Sequence, residues 1–239
     1  MKKTAFLACL LGLMPGLAIA APTLYPVRID LHNKASLQRG ARIFVNYCVS
    51  CHSAAYLRYN RMGKDLGIPL PLVKKDMLFA RSSIFAHMKA AMPTKDAKKW
   101  FGIAPPDLTL ETRLRGASWV YSYLLSFYRD KKTPSGWNNL VFPHVAMPDV
   151  LYGLQGVQVP VYRTVKGQKV FDHFLIVKAG SMTPAQYREA MHDLVNFMVY
   201  MGAPNTLERD RVGAYTLIFL VIFAAIAYLM KREYWKDVH

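Results

Sequence analysis

Five consecutive residues constrain this chain more than any others: Cys48-Val49-Ser50-Cys51-His52. Two thiols separated by two residues, with an imidazole directly after the second, can add to the two vinyl groups of haem and ligate its iron. The spacing sets the sulfurs about one turn apart and projects the His52 ring at the metal. A Cys-x-x-Cys pair also occurs in thioredoxin-like redox sites and as half of a zinc site. Zinc would need two further ligands at similar spacing, and the only other cysteine is Cys9. A thioredoxin-like pair would sit in a βαβ unit without the trailing histidine, and no βαβ pattern occurs here. The motif therefore predicts one haem c, bound covalently through two thioethers at Cys48 and Cys51, with His52 as an iron ligand.

Two apolar stretches place that motif in a compartment. The chain opens on Met1-Lys2-Lys3, continues through an apolar run over residues 5–19 and reaches the small-residue sequence Ala18-Ile19-Ala20. A basic start, a run of this length and such a junction read as a secretory signal peptide, with cleavage expected after Ala20. Cys9 leaves with it, so the exported chain keeps only Cys48 and Cys51. The second stretch, residues 212–230, carries no charge. As a helix it is about 28 Å long, close to the ~30 Å hydrocarbon core of a bilayer. Arg209 and Arg211 precede it, Lys231, Arg232 and Lys236 follow, and Tyr234 and Trp235 supply interfacial aromatics. With the bulk of the chain exported, the short tail is cytoplasmic. The expected division is a signal peptide over 1–20, a periplasmic cytochrome domain over 21–211, a single transmembrane helix over 212–230 and a tail over 231–239. The expected location is a bacterial inner membrane.

The segment between these ends reads as mainly α, a c-type cytochrome domain with long loops and a β-hairpin insertion. Residues 35–47 form a helix whose Gly40, Phe44 and Tyr47 share one side, directly before the haem motif. Residues 184–201 form a second, with Thr183 as N-cap, Pro184 in the first turn and Gly202 ending it. Its Tyr187, Met191, Leu194, Met198 and Met201 follow the helical period and read as core. In small c-type cytochromes two such helices cross. A third helix is expected over 117–128. Residues 157–177 alternate around Lys166-Gly167 and predict a hairpin.

A sixth iron ligand should be a methionine if the haem is a six-coordinate electron carrier. Three of the 12 methionines stand in loops beside proline: Met92, Met147 and Met182. Met147 and Met182 rank above Met92 because they lie well downstream and can close over the far haem face; spacing alone does not separate those two.

The strings C-V-S-C-H-S-A-A-Y-L-R-Y, A-P-P-D-L-T and F-P-H-V-A-M-P-D-V-L, with a C-terminal span ending K-R-E-Y-W-K, resemble the cytochrome c1 family in order and over nearly the whole exported chain. Members of that family are haem subunits of the quinol–cytochrome c oxidoreductase (bc1) complex. The resemblance implies that Met147, in the F-P-x-x-x-M-P loop, is the second axial ligand. It implies that Pro105 and Pro106 pack on the haem edge, that Asp107 caps their turn, and that Arg115, or else Arg113, meets a propionate. Tyr56, Arg58 and Tyr59 would shape the rim, and His144 would be a loop residue. The implied function is electron relay from the Rieske iron–sulfur subunit to a periplasmic cytochrome c, docked on cytochrome b, with no catalytic site of its own. The competing readings are a stand-alone membrane-anchored cytochrome shuttle and a haem protein with an open iron position.

Charge bears on partners. The formal net charge is +16, or +14 without Lys2 and Lys3. An exported protein of this kind does not meet nucleic acid, so the basic surface points to an acidic or neutral acceptor, or to anionic membrane lipid.

Overall fold

The computed structural model describes residues 24–79 and 83–237; the expected signal peptide lies outside them. In chain order the elements are α1 (Lys34–Ile43), a π turn (Phe44–Cys48), β1 (Ala54–Arg58), α2 (Tyr59–Leu66), α3 (Leu70–Asp76), β2 (His87–Met88), α4 (Thr94–Phe101), α5 (Glu111–Arg115) and α6 (Ala117–Leu125). There follow β3 (Phe127–Arg129), β4 (Trp137–Asn139), α7 (Tyr152–Gln155), β5 (Gly156–Val165), β6 (Gln168–Ala179), α8 (Pro184–Gly202) and α9 (Thr206–Tyr234). The described residues form three separate two-stranded antiparallel sheets, β1-β2, β3-β4 and β5-β6, and the core belongs to the helices. The mainly α class with a hairpin and one C-terminal apolar helix is thus observed.

The body is organised by the crossing of α1 and α8. Asn33 caps α1 by accepting from Ser36 N, and Thr183 caps α8 in a reciprocal capping box with Gln186. Tyr187, Met191, Leu194, Met198 and Met201 on α8 are all buried, as the helical period requires. Gly40 is the point of closest approach: a Cβ there would strike the Asp193 carbonyl and lie 2.7 Å from the Phe197 Cβ. Phe44 and Phe197 pack beyond it with ring centroids 5.6 Å apart.

A polar lock fastens the same crossing. The buried Asp193 carboxylate accepts from Ser36 Oγ at 2.6 Å and from Arg39 Nη2 at 3.0 Å. Asn196, also buried, accepts from Asp30 N at 3.0 Å and donates to Ser36 Oγ at 3.0 Å, tying the entering strand of chain to α8. Arg39 is half exposed and can return to water, so the cost of losing Asp193 falls mainly on the buried Ser36 and Asn196 groups. Asp193→Ala is expected to destabilise the fold by about 2 kcal/mol, measured as a lower midpoint in urea unfolding; an unchanged midpoint would show that the lock adds nothing.

Two elements differ from expectation. The first helix does not stay α-helical to Tyr47: it widens at Phe44 into the π turn, with Val49 N donating to Phe44 O at 3.1 Å. Single π turns are seen where a helix must reposition functional side chains, and this one ends on Cys48. The third helix stops at Leu125 rather than reaching Tyr128. Phe127 and Tyr128, both good strand formers, pair instead with Asn139 and Asn138 in β3-β4. Buried Gln158 donates to the carbonyls of Leu125 and Phe127, at 3.0 and 2.7 Å, and holds the change of direction.

The hairpin is present and slightly longer than its alternation indicates. Lys166 and Gly167 both have positive φ, 49° and 79°, as a two-residue hairpin turn requires. At the C-terminus the apolar residues 212–230 belong to the longer α9. Its stretch Val212–Tyr234 has a mean hydropathy of 2.4 with none of it buried against the rest of the protein. That stretch is about 35 Å long, enough to cross a bilayer with some tilt.

Candidate haem site

The π turn delivers the attachment sequence into a tight loop. Cys51 N and His52 N both donate to Cys48 O, at 3.1 and 2.8 Å, so the two thiols and the imidazole emerge from one turn. Both cysteines are free thiols. Burial pushes the Cys48 thiol up to about 12, with a further contribution from Cys51. This is the opposite of the depression that activates the leading cysteine of a thioredoxin-like pair. No group of three or more His, Cys, Asp or Glu placed to hold a metal ion occurs among the described residues.

His52 is oriented by the A-P-P-D-L-T segment. Its Nδ1 lies 2.9 Å from Pro106 O. A carbonyl oxygen only accepts, so Nδ1 carries the proton and Nε2 keeps its lone pair for a metal. Burial lowers the His52 pKa, which favours the neutral ring, while the bond to Pro106, Glu111 and Asp107 pull the other way. The segment itself is pinned to the residues after the haem motif. Leu108 N donates to Ser53 O at 2.7 Å, Asp107 Oδ2 accepts from Ala55 N at 2.8 Å, and Asp107 Oδ1 caps the turn by accepting from Thr109 N at 2.8 Å.

From Glu111, five residues after Pro106 in the chain, a series of contacts leads to Met147. Glu111 accepts from Arg115 Nε at 3.0 Å, and the Arg115 guanidinium lies over the Trp119 ring, 4.4 Å from its centroid. Trp119 stacks on Tyr123 one turn further along α6, centroids 5.2 Å apart. The Tyr123 hydroxyl donates to Met147 Sδ at 3.4 Å, and burial holds that hydroxyl well above its ordinary pKa, in the protonated form that can donate. Exposed apolar side chains at Ile103, Leu110, Leu114 and Phe142 stand on the same segments.

Two buried asparagines shape the loop that presents Met147. Asn139 Oδ1 accepts from Val141 N and Phe142 N, at 2.9 and 3.1 Å, while its Nδ2 donates to Tyr123 O at 2.8 Å. Asn138 Oδ1 accepts from His144 N at 2.9 Å, which holds His144 at φ 61°. Val145 is buried on one side of Met147, and Asp149 on the other accepts from Leu151 N at 2.9 Å. His144 itself is an exposed loop residue.

The remaining candidates fall in different places. Arg113 is engaged elsewhere, donating to Gly202 O at 3.2 Å where α5 meets the end of α8, so Arg115 is the arginine that stays with Trp119 and Phe142. Met182 packs against the hydrophobic core, its backbone N on Leu154 O at 3.1 Å. Met92 donates its backbone N to Ser50 O at 3.1 Å, beside the attachment loop. Tyr56 is exposed and Arg58 donates to Phe85 O, but Tyr59 is buried in the core at the start of α2 rather than at a rim. Trp119, Tyr123, Asn138 and Asn139 were not singled out from sequence. The i, i+4 spacing of Trp119 and Tyr123 is the one signal that places those two on a common helix face.

The donor set fits a c-type haem: two unpaired thiols at the attachment spacing, an imidazole with a free Nε2, and a thioether in a braced loop. Comparison with known proteins agrees. The model of the Cytochrome C1 family matches residues 71–238. Cytochrome c1 of Allochromatium vinosum is 48% identical over 220 residues, covering 88% of each chain. The ammonia monooxygenase gamma subunit of Nitrosomonas europaea is 44% identical over 211 residues, 88% of this chain and 87% of that one. Cytochrome b/c1 of Bradyrhizobium diazoefficiens is 24% identical over 237 residues, 87% of this chain but 34% of that longer protein. On the matched family and the identity of these relatives, the chain belongs to the cytochrome c1 family.

Proposed function

We propose that this chain is the haem-bearing electron-transfer subunit of a quinol–cytochrome c oxidoreductase complex, taking one electron from a Rieske iron–sulfur subunit and passing it to a periplasmic cytochrome c. The observation that carries this reading is the His52–Pro106 bond, which leaves Nε2 of the residue after Cys51 free to ligate iron, with Met147 Sδ held by Tyr123 as the second candidate donor. Cys48 and Cys51 hold the haem covalently, His52 and Met147 ligate its iron, Pro106 supports the His52 face, and Arg115 faces a propionate. When bound, a His/Met haem supplies reversible one-electron chemistry at a relatively high potential.

The residues contribute rigidity. A ligand set that does not move on reduction keeps reorganisation small, and both ligands here are fixed by neighbours: His52 by Pro106 O, the Met147 loop by Asn138 and Asn139. The Tyr123 hydroxyl uses one lone pair of Met147 sulfur and leaves the other for iron. By drawing density from the thioether it favours the reduced state. Tyr123→Phe is expected to keep the haem attached and to lower the reduction potential by on the order of tens of millivolts, read in an equilibrium redox titration; an unchanged potential would remove the role.

The apolar helix supports a single membrane anchor, with residues 21–211 in the periplasm and 231–239 in the cytoplasm. The joined name of the Bradyrhizobium relative supports a cytochrome b partner. Purification in mild detergent with a haem count, a reduced spectrum and a subunit list tests the whole reading. One covalent haem per chain, co-purifying with b-type haem and an iron–sulfur subunit, is the expected result. A preparation free of b-type haem would leave the anchored shuttle as the better description.

A further inference from the structure

Where α8 gives way to α9 the protein carries a charged cleft of about 360 Å³, lined by His32, Lys34, Arg61, Lys64, Asp65 and Glu208 among others. Hydrogen bonds between its walls build it. Gln38 Nε2 donates to Leu66 O at 2.9 Å and joins α1 to the end of α2. The Tyr200 hydroxyl donates to Asp65 Oδ2 at 2.8 Å and joins α2 to the last turn of α8. Arg61 Nη2 donates to Asn205 Oδ1 at 3.1 Å, which fixes α2 to the residue just before α9. The cleft is therefore preformed and needs no ligand to assemble.

Its charges do not cancel. Both carboxylates face Arg61: Asp65 accepts from Arg61 Nε at 2.6 Å, and Glu208 Oε2 lies 3.9 Å from Arg61 Nη2. Lys34 and Lys64 are left over, both exposed and with no ion pair to either among the described residues. Two uncompensated ammonium groups on one concave surface suit an anion with several oxygens. The depth of the cleft says where such an anion comes from. Glu208 precedes Val212, the start of the apolar stretch, by four residues, or about 6 Å of helix. A bilayer adds roughly 5–7 Å of headgroups to each side of its hydrocarbon core. With α9 spanning the membrane, the cleft stands at the level of the lipid phosphates.

We propose that this cleft binds the phosphate of an anionic phospholipid from the periplasmic leaflet, with Lys34 and Lys64 on its oxygens. The acyl chains would lie along the first exposed apolar residues of α9, Val212 and Tyr215. This rests on the membrane-anchor reading of α9. A zwitterionic lipid would bring its own ammonium group into a surplus of positive charge, and inorganic phosphate would forgo the apolar contact. A headgroup held here braces the haem-bearing body against the bilayer, because α1, which carries Lys34, runs on through the π turn to Cys48.

The test uses the detergent-solubilised holoprotein and native mass spectrometry, with three probes: phosphatidylglycerol, phosphatidylcholine and inorganic phosphate. The basic tail after α9 can hold lipid at the opposite membrane surface, so every chain compared also carries Lys231→Ala, Arg232→Ala and Lys236→Ala. The reference chain is expected to retain phosphatidylglycerol in preference to phosphatidylcholine, and millimolar inorganic phosphate should not displace it. Lys34→Ala with Lys64→Ala is expected to weaken phosphatidylglycerol binding by about tenfold or more, at unchanged haem content and with phosphatidylcholine binding as before. Lys169→Ala with Lys178→Ala on the β5-β6 hairpin removes the same charge and should leave lipid binding unchanged. Equal losses from the two pairs, or no preference between the two lipids, would overturn the site while leaving the anchor intact. Displacement by inorganic phosphate would assign the cleft to a soluble anion and overturn lipid as its occupant. A chain that stays in solution without detergent would overturn the anchor, and the site with it.

Discussion

Met147→Leu should leave a protein that still carries its haem, because the proposed attachment is through Cys48 and Cys51, yet no longer works as an electron relay. Leucine matches methionine closely in volume, so the loop held by Asn138, Asn139 and buried Val145 should keep its path. What is lost is the sulfur at the end of the Arg115–Trp119–Tyr123 series. An iron left with His52 alone is expected to lose the methionine–iron charge-transfer band of its oxidised spectrum. Its potential should fall by on the order of 0.1 V, within the ~0.8 V range that axial ligation commands. Quinol-driven reduction should fall with it. The discriminating control is Met182→Leu, at the residue that spacing alone could not separate from Met147. Since Met182 packs on the core, that change should leave band and potential in place. A band that survives Met147→Leu and disappears in Met182→Leu would move the axial ligand to Met182. A band surviving both would point to Met92, beside Ser50.

The parts of this molecule that were legible in sequence are those set by short-range rules. The capping box of α8 is written in Thr183, Pro184 and Gln186, and its buried face in residues spaced by three and four. The β5-β6 turn is written in Lys166-Gly167. The π turn was not legible, because Phe44-Val45-Asn46-Tyr47-Cys48 satisfies an α-helical pattern equally well; the widening follows from where Cys48 must emerge relative to α8. Nor was the end of α6, since the competing partner of Phe127 is Asn139, a pairing fixed by the loop between them. At the site, the motif residues were readable from chemistry or resemblance, but their supports were not. Tyr123 reaches Met147 across 24 residues and Asn139 Nδ2 reaches Tyr123 O across 16, and no local spacing encodes such contacts. The choice between Arg113 and Arg115 likewise depended on Gly202, at the far end of α8.

The second large effect concerns Gly40, and propensity and packing predict opposite signs for it. Gly40 lies inside α1, where exchanging glycine for alanine would by itself favour the helix by about 1 kcal/mol. Packing outweighs this. The added Cβ would meet the Asp193 carbonyl oxygen, with the Asp193 carbonyl carbon and the Phe197 Cβ each 2.7 Å away. Two of these are main-chain atoms of α8 and the third is a Cβ fixed to it, so no rotamer change relieves the contact; the helices must separate. Separation would loosen the Phe44–Phe197 contact and stretch the Ser36 and Arg39 bonds to Asp193. It would also shift the π turn, which continues directly from α1 into Cys48. Gly40→Ala is therefore expected to destabilise the protein by about 3 kcal/mol or more, at or beyond the upper range for core overpacking. For a domain of this size that is a drop of roughly 6–12 °C in Tm. Because Cys48 moves with α1, the fraction of chains carrying haem should fall as well. Gly153→Ala in α7 provides the comparison, since a Cβ there meets no atom within 4 Å, and its Tm should stay close to wild type. A Gly40→Ala protein with wild-type Tm and full haem content would mean that α1 and α8 are not held at this distance, and that the attachment loop is positioned by something other than their crossing.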